Sequence, residues 1–197
     1  MTALRLRVAV WVYGGMAALA ALWGLLRGNP DVFHDPAGDG ASSPTTVGLG
    51  LATGIAIGVV IAALTRLAVR RTGALRRLHL EFRGLFGPLS DRDVLVFAAL
   101  SAGAEELFFR GALQPAIGLP LSVLVFGFLH VGPSIRVFWP WTLSALAMGL
   151  LFGVLFRAFG DLTAPIAAHF TVNFLNLGFI ADYDPAPSIA RGLRRAT

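Results

Sequence analysis

The stretch Ala104-Glu105-Glu106-Leu107-Phe108-Phe109-Arg110-Gly111 decides how this chain is read. Two adjacent carboxylates and a guanidinium lie within a long apolar block. A charge at membrane depth costs about 3 kcal/mol or more on insertion scales. Ionisable groups in such a place mark sites, pathways or proton relays, so the stretch points to a membrane-embedded functional centre.

The rest of the chain fits that setting. Of 197 residues, 56% are hydrophobic and only 14% are charged, with a mean hydropathy of +0.72. Soluble domains carry closer to 25% charged residues. The apolar residues come in long blocks rather than in alternation, which argues for helices and against a β-barrel. The expected fold is all-α, a polytopic transmembrane bundle of about six helices. There is no cysteine, which excludes disulfides, thiolate catalysis and cysteine-ligated metals. All 16 basic residues are arginine, and the net charge is +5. Their distribution follows membrane topology, and no nucleic-acid partner is expected.

The expected spans run from about Val8 to Leu26, Thr46 to Val69, Asp93 to Gly111, Leu119 to Val131, Trp139 to Phe159 and Leu162 to Ile180. The first has Ala18-Leu19-Ala20, which looks like a signal-cleavage site, but stays apolar through Trp23 to Leu26. An uncleaved helix is the reading taken. An acidic loop with Asp31, Asp35 and Asp39 follows. The second span carries overlapping small-xxx-small patterns, Gly50-Leu51-Ala52-Thr53-Gly54 and Gly54-Ile55-Ala56-Ile57-Gly58, suited to close helix packing. Residues 70–92 mix six arginines with Leu75, Leu78, Leu80, Phe82, Leu85 and Phe86. They read as a basic interfacial segment or a solvated loop.

Arginines set the orientation. With both termini cytoplasmic, Arg5, Arg7, the 66–92 cluster, Arg136 and the tail lie inside, and only Arg27 and Arg157 lie outside. The chain divides into 1–89, two helices and the basic segment; 90–181, the core with the polar groups; and 182–197, a basic tail. All three belong to one integrated membrane domain. The bacterial inner membrane is the expected location. No internal repeat is evident, which weighs against a proton-coupled transporter.

Polar groups that dislike lipid are few: Glu105, Glu106 and Arg110 in the third span, His130 in the fourth, and His169, Asn173 and Asn176 in the sixth. Glu106 and Arg110 are i and i+4 and share a face. Glu105 is turned away by about 100°. The geometry therefore favours Glu106–Arg110 as support and Glu105 as the working carboxylate. A buried charge cluster without chemistry is the alternative. Phe126 and His130, and His169 and Asn173, are also i and i+4 pairs.

A desolvated carboxylate is a suitable general base for water. An imidazole can hold that water, and a second imidazole with an amide can donate to an oxyanion. The set allows hydrolysis without a covalent nucleophile or a cofactor. Glu105, His130 and His169 would equally form a two-histidine, one-glutamate zinc site, with each ligand from a different helix.

At these residues the chain resembles the CPBP family of intramembrane CAAX-processing and bacteriocin-processing proteases, also called the type II CAAX prenyl endopeptidase or abortive-infection family. Glu105-Glu106-Leu107-Phe108-Phe109-Arg110 matches its E-E-x-x-x-R, Phe126-Gly127-Phe128-Leu129-His130 its F-x-x-x-H, and His169-Phe170-Thr171-Val172-Asn173 its H-x-x-x-N. The resemblance covers about residues 90–181. It implies a glutamate-dependent intramembrane endopeptidase in which Glu105 and His130 activate water. His169 and Asn173 would form the oxyanion site, and Glu106, Arg110 and Phe126 would shape the site or contact substrate. The implied partner is a membrane-anchored protein or hydrophobic peptide, CAAX-like or lipidated. A non-catalytic interaction or immunity protein on the same scaffold is the competing reading.

Overall fold

A computed structural model describes residues 3–38 and 42–185 of the chain. Asp39, the tail arginines Arg191, Arg194 and Arg195, and the side chain of Arg5 lie outside the described residues. The helices are α1 (Ala3–Leu26), α2 (Pro44–Arg71), α3 (Gly73–Phe86), α4 (Asp91–Glu106), a π-helical stretch (Leu107–Leu113), α5 (Gln114–Ile117), α6 (Leu119–Leu129), α7 (Ile135–Phe159) and α8 (Thr163–Asp182). No strand occurs among the described residues.

Four helices, α1, α2, α7 and α8, are long and apolar enough to cross a membrane. Their outer faces carry large apolar side chains; Trp11 on α1 is 80% exposed. In water such faces would be a liability, but in lipid they are expected. The other two expected spans are atypical. One is the continuous helix 91–117, which holds the charged stretch. The other is α6, only 11 residues long.

Local chemistry sets the boundaries. Ser90 and Asp93 form a reciprocal capping box at the start of α4. Ser43 caps α2 ahead of Pro44. Gly118 turns α5 into α6 at φ +83°, where a side chain would be strained. The turn has a geometric result. Glu105 lies 13 residues before Gly118 and His130 12 residues after it, so the returning α6 ends at about the depth of Glu105.

The glycine stripe of α2 packs on α8. A Cβ on Gly54 would stand 2.8 Å from Ala167 Cβ and 2.9 Å from Ala168 N, and one on Gly58 would stand 2.9 Å from Ala168 O. Only glycine lets the backbones approach this closely. Phe152 and Leu155 of α7 pack with Ala164 and Ala168 beside this seam.

Residues 73–86 form a helix that ties into the bundle through buried Leu78 and His79. Arg83 donates to the carbonyls of Ile180 (2.7 Å) and Ala181 (2.6 Å), and His79 Nε2 donates to Tyr183 O (2.9 Å). These are the carbonyls a helix end leaves unpaired. The acidic loop packs on the opposite end: Asp35 pairs with Arg157 at 3.5 Å, and Ser42 bonds to Asp161.

Candidate active site

The π-helical stretch positions the charged cluster. Its wider turn directs Arg110 into the bundle, where the residue is 1% exposed. Three contacts beyond the helix hold the stretch. Arg110 Nη2 donates to Gly149 O (3.1 Å), Gln114 Nε2 to Gly153 O (3.1 Å), and Ser122 Oγ to Phe109 O (3.1 Å). Gly111 faces the acidic loop so closely that a Cβ there would collide with Val32 O.

Glu106 is fully buried and held through its Oε1 by two hydrogen bonds, while its Oε2 stands within ion-pair reach of Arg110 without a hydrogen bond. Arg110 reaches it through Nε (3.2 Å) and Nη1 (3.2 Å), and His169 Nδ1 lies 2.7 Å from its Oε1. The Arg110 guanidinium also lies over the ring of Phe126 at 4.5 Å, with Phe152 at 5.5 Å. A carboxylate so completely desolvated persists only with such compensation.

Glu105 has no such partner. Its Oε2 is sealed from solvent without a hydrogen bond. It faces His130 Nε2 at 3.8 Å and His169 Nε2 at 4.0 Å. The hydrogen bonds at the far side of each ring fix the protons. His130 Nδ1 lies 2.7 Å from Phe126 O, and a carbonyl only accepts, so Nδ1 carries hydrogen. His169 Nδ1 likewise donates to Glu106. In their neutral forms both rings therefore turn an Nε2 lone pair toward Glu105. Phe126 contacts two of these groups, His130 through its carbonyl and through a ring 4.3 Å from the imidazole, and Arg110 through the ring beneath it.

Charge balance constrains this centre. Two ionised glutamates against one arginine leave one uncompensated negative charge in a low-dielectric interior. One further proton neutralises it. That proton can reside on Glu105 or on the Nε2 of a facing histidine, all within 4.0 Å of Glu105 Oε2.

Asn173 lines a space shared with the acid–imidazole cluster, and its Nδ2 donates to Ser101 Oγ of α4 at 2.9 Å. That space is a cavity of about 520 Å³ extending from Glu105, His130 and His169 toward α3. Its walls are largely apolar, with Phe82, Phe97, Trp141 and Phe179 among them. The sequence reading brought Glu105, Glu106, Arg110, Phe126, His130, His169 and Asn173 into consideration, and the fold gathers them. It did not single out Ser101, Tyr13 or Trp141. Ser101 fell in an apolar run among small residues, and the two aromatics belong to helices without a motif.

The fold and site define a helical integral membrane protein with an acid–imidazole centre inside its bundle. Residues 92–175, which contain all three motifs, match the family described as Type II CAAX prenyl endopeptidase Rce1-like. Over this stretch the chain is similar to that family, in the same residues that carry the three motifs. It is also 34% identical over 91 residues to "Uncharacterized protein YpbD" of Bacillus subtilis (strain 168), a match covering 45% of this chain and 46% of the relative. The chain therefore matches about half the length of that curated relative. No solved structure matches it.

Proposed function

We propose that this protein is an intramembrane endopeptidase of the glutamic type. It would hydrolyse a peptide bond near the C-terminus or membrane anchor of a membrane-associated, CAAX-like or lipidated protein or hydrophobic peptide. The observation that carries the reading is the cavity-lining Glu105, whose Oε2 has no hydrogen-bond partner and faces two imidazole Nε2 atoms.

In this reading a water lies between Glu105 and His130, donating one hydrogen to each. Its oxygen attacks the substrate carbonyl carbon while Glu105 accepts a proton. The carbonyl becomes an oxyanion, met by Nε2–H of protonated His169 and by the second N–H of Asn173 Nδ2. The C–N bond then breaks, and the proton held by Glu105 passes to the leaving amine. Glu106 and Arg110 hold His169 in register, and no cofactor is required. The arginine-rich end faces the cytoplasm, in the bacterial inner membrane.

The alternative is zinc held by Glu105, His130 and His169, although, as placed, no three His, Asp or Glu side chains among the described residues form a group that could hold a metal ion. Ligand atoms around tetrahedral zinc stand about 3.3 Å apart for bonds near 2.0–2.1 Å. The 3.8 and 4.0 Å separations here would have to contract. Activity that survives chelation in metal-free protein would remove this reading.

The test compares protein N- and C-termini by mass spectrometry in membranes carrying wild type or Glu105→Gln at equal expression. Termini that depend on Glu105 support the protease and reveal its cleavage sequence. Identical termini, with both proteins folded, would overturn it in favour of an interaction or immunity protein.

A further inference from the structure

Asn176 is a polar residue on a membrane helix that the proposed chemistry does not use. It lies three residues beyond Asn173 on α8, on nearly the same face, and lines the same cavity. Its Oδ1 is sealed from solvent and has no hydrogen-bond partner. Turning the amide over exchanges an orphan acceptor for an orphan donor, so either orientation leaves a buried polar atom in need of a partner. Such an atom is costly to leave unmade. Its neighbours along the wall, Leu177, Val172 and Ile180, offer no polar group.

We infer that Asn176 binds the peptide backbone of the substrate, its amide turning from the sealed position into the cavity it lines to accept a main-chain N–H one or two residues from the scissile bond. The inference rests on the protease reading above. The spacing supports it. Three residues of α-helix advance about 4.5 Å, and an extended peptide advances about 3.3 Å per residue. A strand with its scissile carbonyl beside His169 and Asn173, running along α8 toward α3, would bring its next N–H groups past Asn176. The apolar walls beyond would take the side chains. Recognition through the backbone at this point is independent of side-chain identity, so Asn176 contributes affinity for extended peptide rather than sequence choice.

The test uses the full-length protein in detergent and a synthetic peptide spanning the cleavage sequence found through Glu105-dependent termini. Asn176→Leu should raise KM about tenfold and leave kcat within about twofold, the scale of one hydrogen bond to a buried group. Its melting temperature should equal or exceed that of wild type, because an unpaired polar atom is replaced by an apolar one of similar size. A matched peptide series replaces one amide N–H at a time with an ester oxygen. One ester position should weaken wild type about tenfold and leave Asn176→Leu unaffected. Unchanged KM in Asn176→Leu, or equal ester effects in both proteins, overturns the inference while the protease reading stands. Absence of any Glu105-dependent termini overturns both. If Asn176→Leu fails to fold, Asn176→Ala carries the same ester comparison.

Discussion

Arg110→Met tests the reasoning about the buried cluster most directly. The substitution keeps a long apolar side chain but withdraws the guanidinium from Glu106, which is 0% exposed. Two contacts of 3.2 Å to the carboxylate disappear, together with the 3.1 Å bond to Gly149 O. Breaking one side of a buried pair costs about 3–5 kcal/mol, and the lost bond to Gly149 adds about 1 kcal/mol. For a chain of this size each kcal/mol shifts the melting temperature by about 2–4 °C. The variant should therefore melt about 10–20 °C below wild type in detergent, followed by tryptophan fluorescence. Glu106→Gln/Arg110→Met removes the stranded charge while leaving Oε1 as an acceptor for His169, and should recover at least half of the loss. A single variant within about 3 °C of wild type, or a double variant no better than the single, would refute the account of Arg110 as the counter-charge that holds Glu106.

Other outcomes follow from particular contacts. Gly58→Val places a Cβ 2.5 Å from Thr171 Cβ, so α2 must withdraw from α8; a fall of several degrees in melting temperature is expected, and an unchanged melt would argue against the close seam. Ser101→Ala frees the Asn173 amide and should reduce the yield of Glu105-dependent termini about fivefold, the effect of one hydrogen bond, with little change in stability. Equal yields would show that Ser101 does not orient Asn173. Arg83→Ala leaves the carbonyls of Ile180 and Ala181 without their donor, and hydrogen exchange should accelerate at the last turn of α8. Protection equal to wild type there would remove the capping role.

Local periodicity made part of this arrangement legible in the sequence. The i, i+4 spacing alone brings Glu106 to Arg110 and turns Glu105 away, and the Gly50, Gly54, Gly58 spacing alone specifies a close-packing face. The nearly equal chain lengths on either side of Gly118 place His130 near Glu105 once Gly118 is known to turn. The remainder depends on tertiary contacts. The π-helical stretch is held by Gly149, Gly153 and Ser122, all distant in sequence, so its apolar residues read as ordinary helix. The helix over 73–86 reads equally as loop or surface helix, because its decisive bonds run to the end of α8 about a hundred residues later. Ser101 is one small residue among several until Asn173 is brought against it. Helix α7 begins at Ile135, four residues before the expected Trp139, and runs through Pro140, its sixth residue, where the ring removes one helical N–H.

The unequal embedding of the two glutamates bears on how related sequences can be judged. Glu106, Arg110, His130, His169 and Asn173 each make a bond that the fold itself uses, to one another, to Gly149, to Phe126 or to Ser101. A copy that had abandoned chemistry would still need them to assemble. Glu105 Oε2 makes none. A neutral residue of similar shape at position 105 would spare the scaffold and silence the proposed reaction. An otherwise intact motif set with that one change would therefore mark a retired enzyme, whereas losses elsewhere in the set would mark a bundle that no longer folds in the same way.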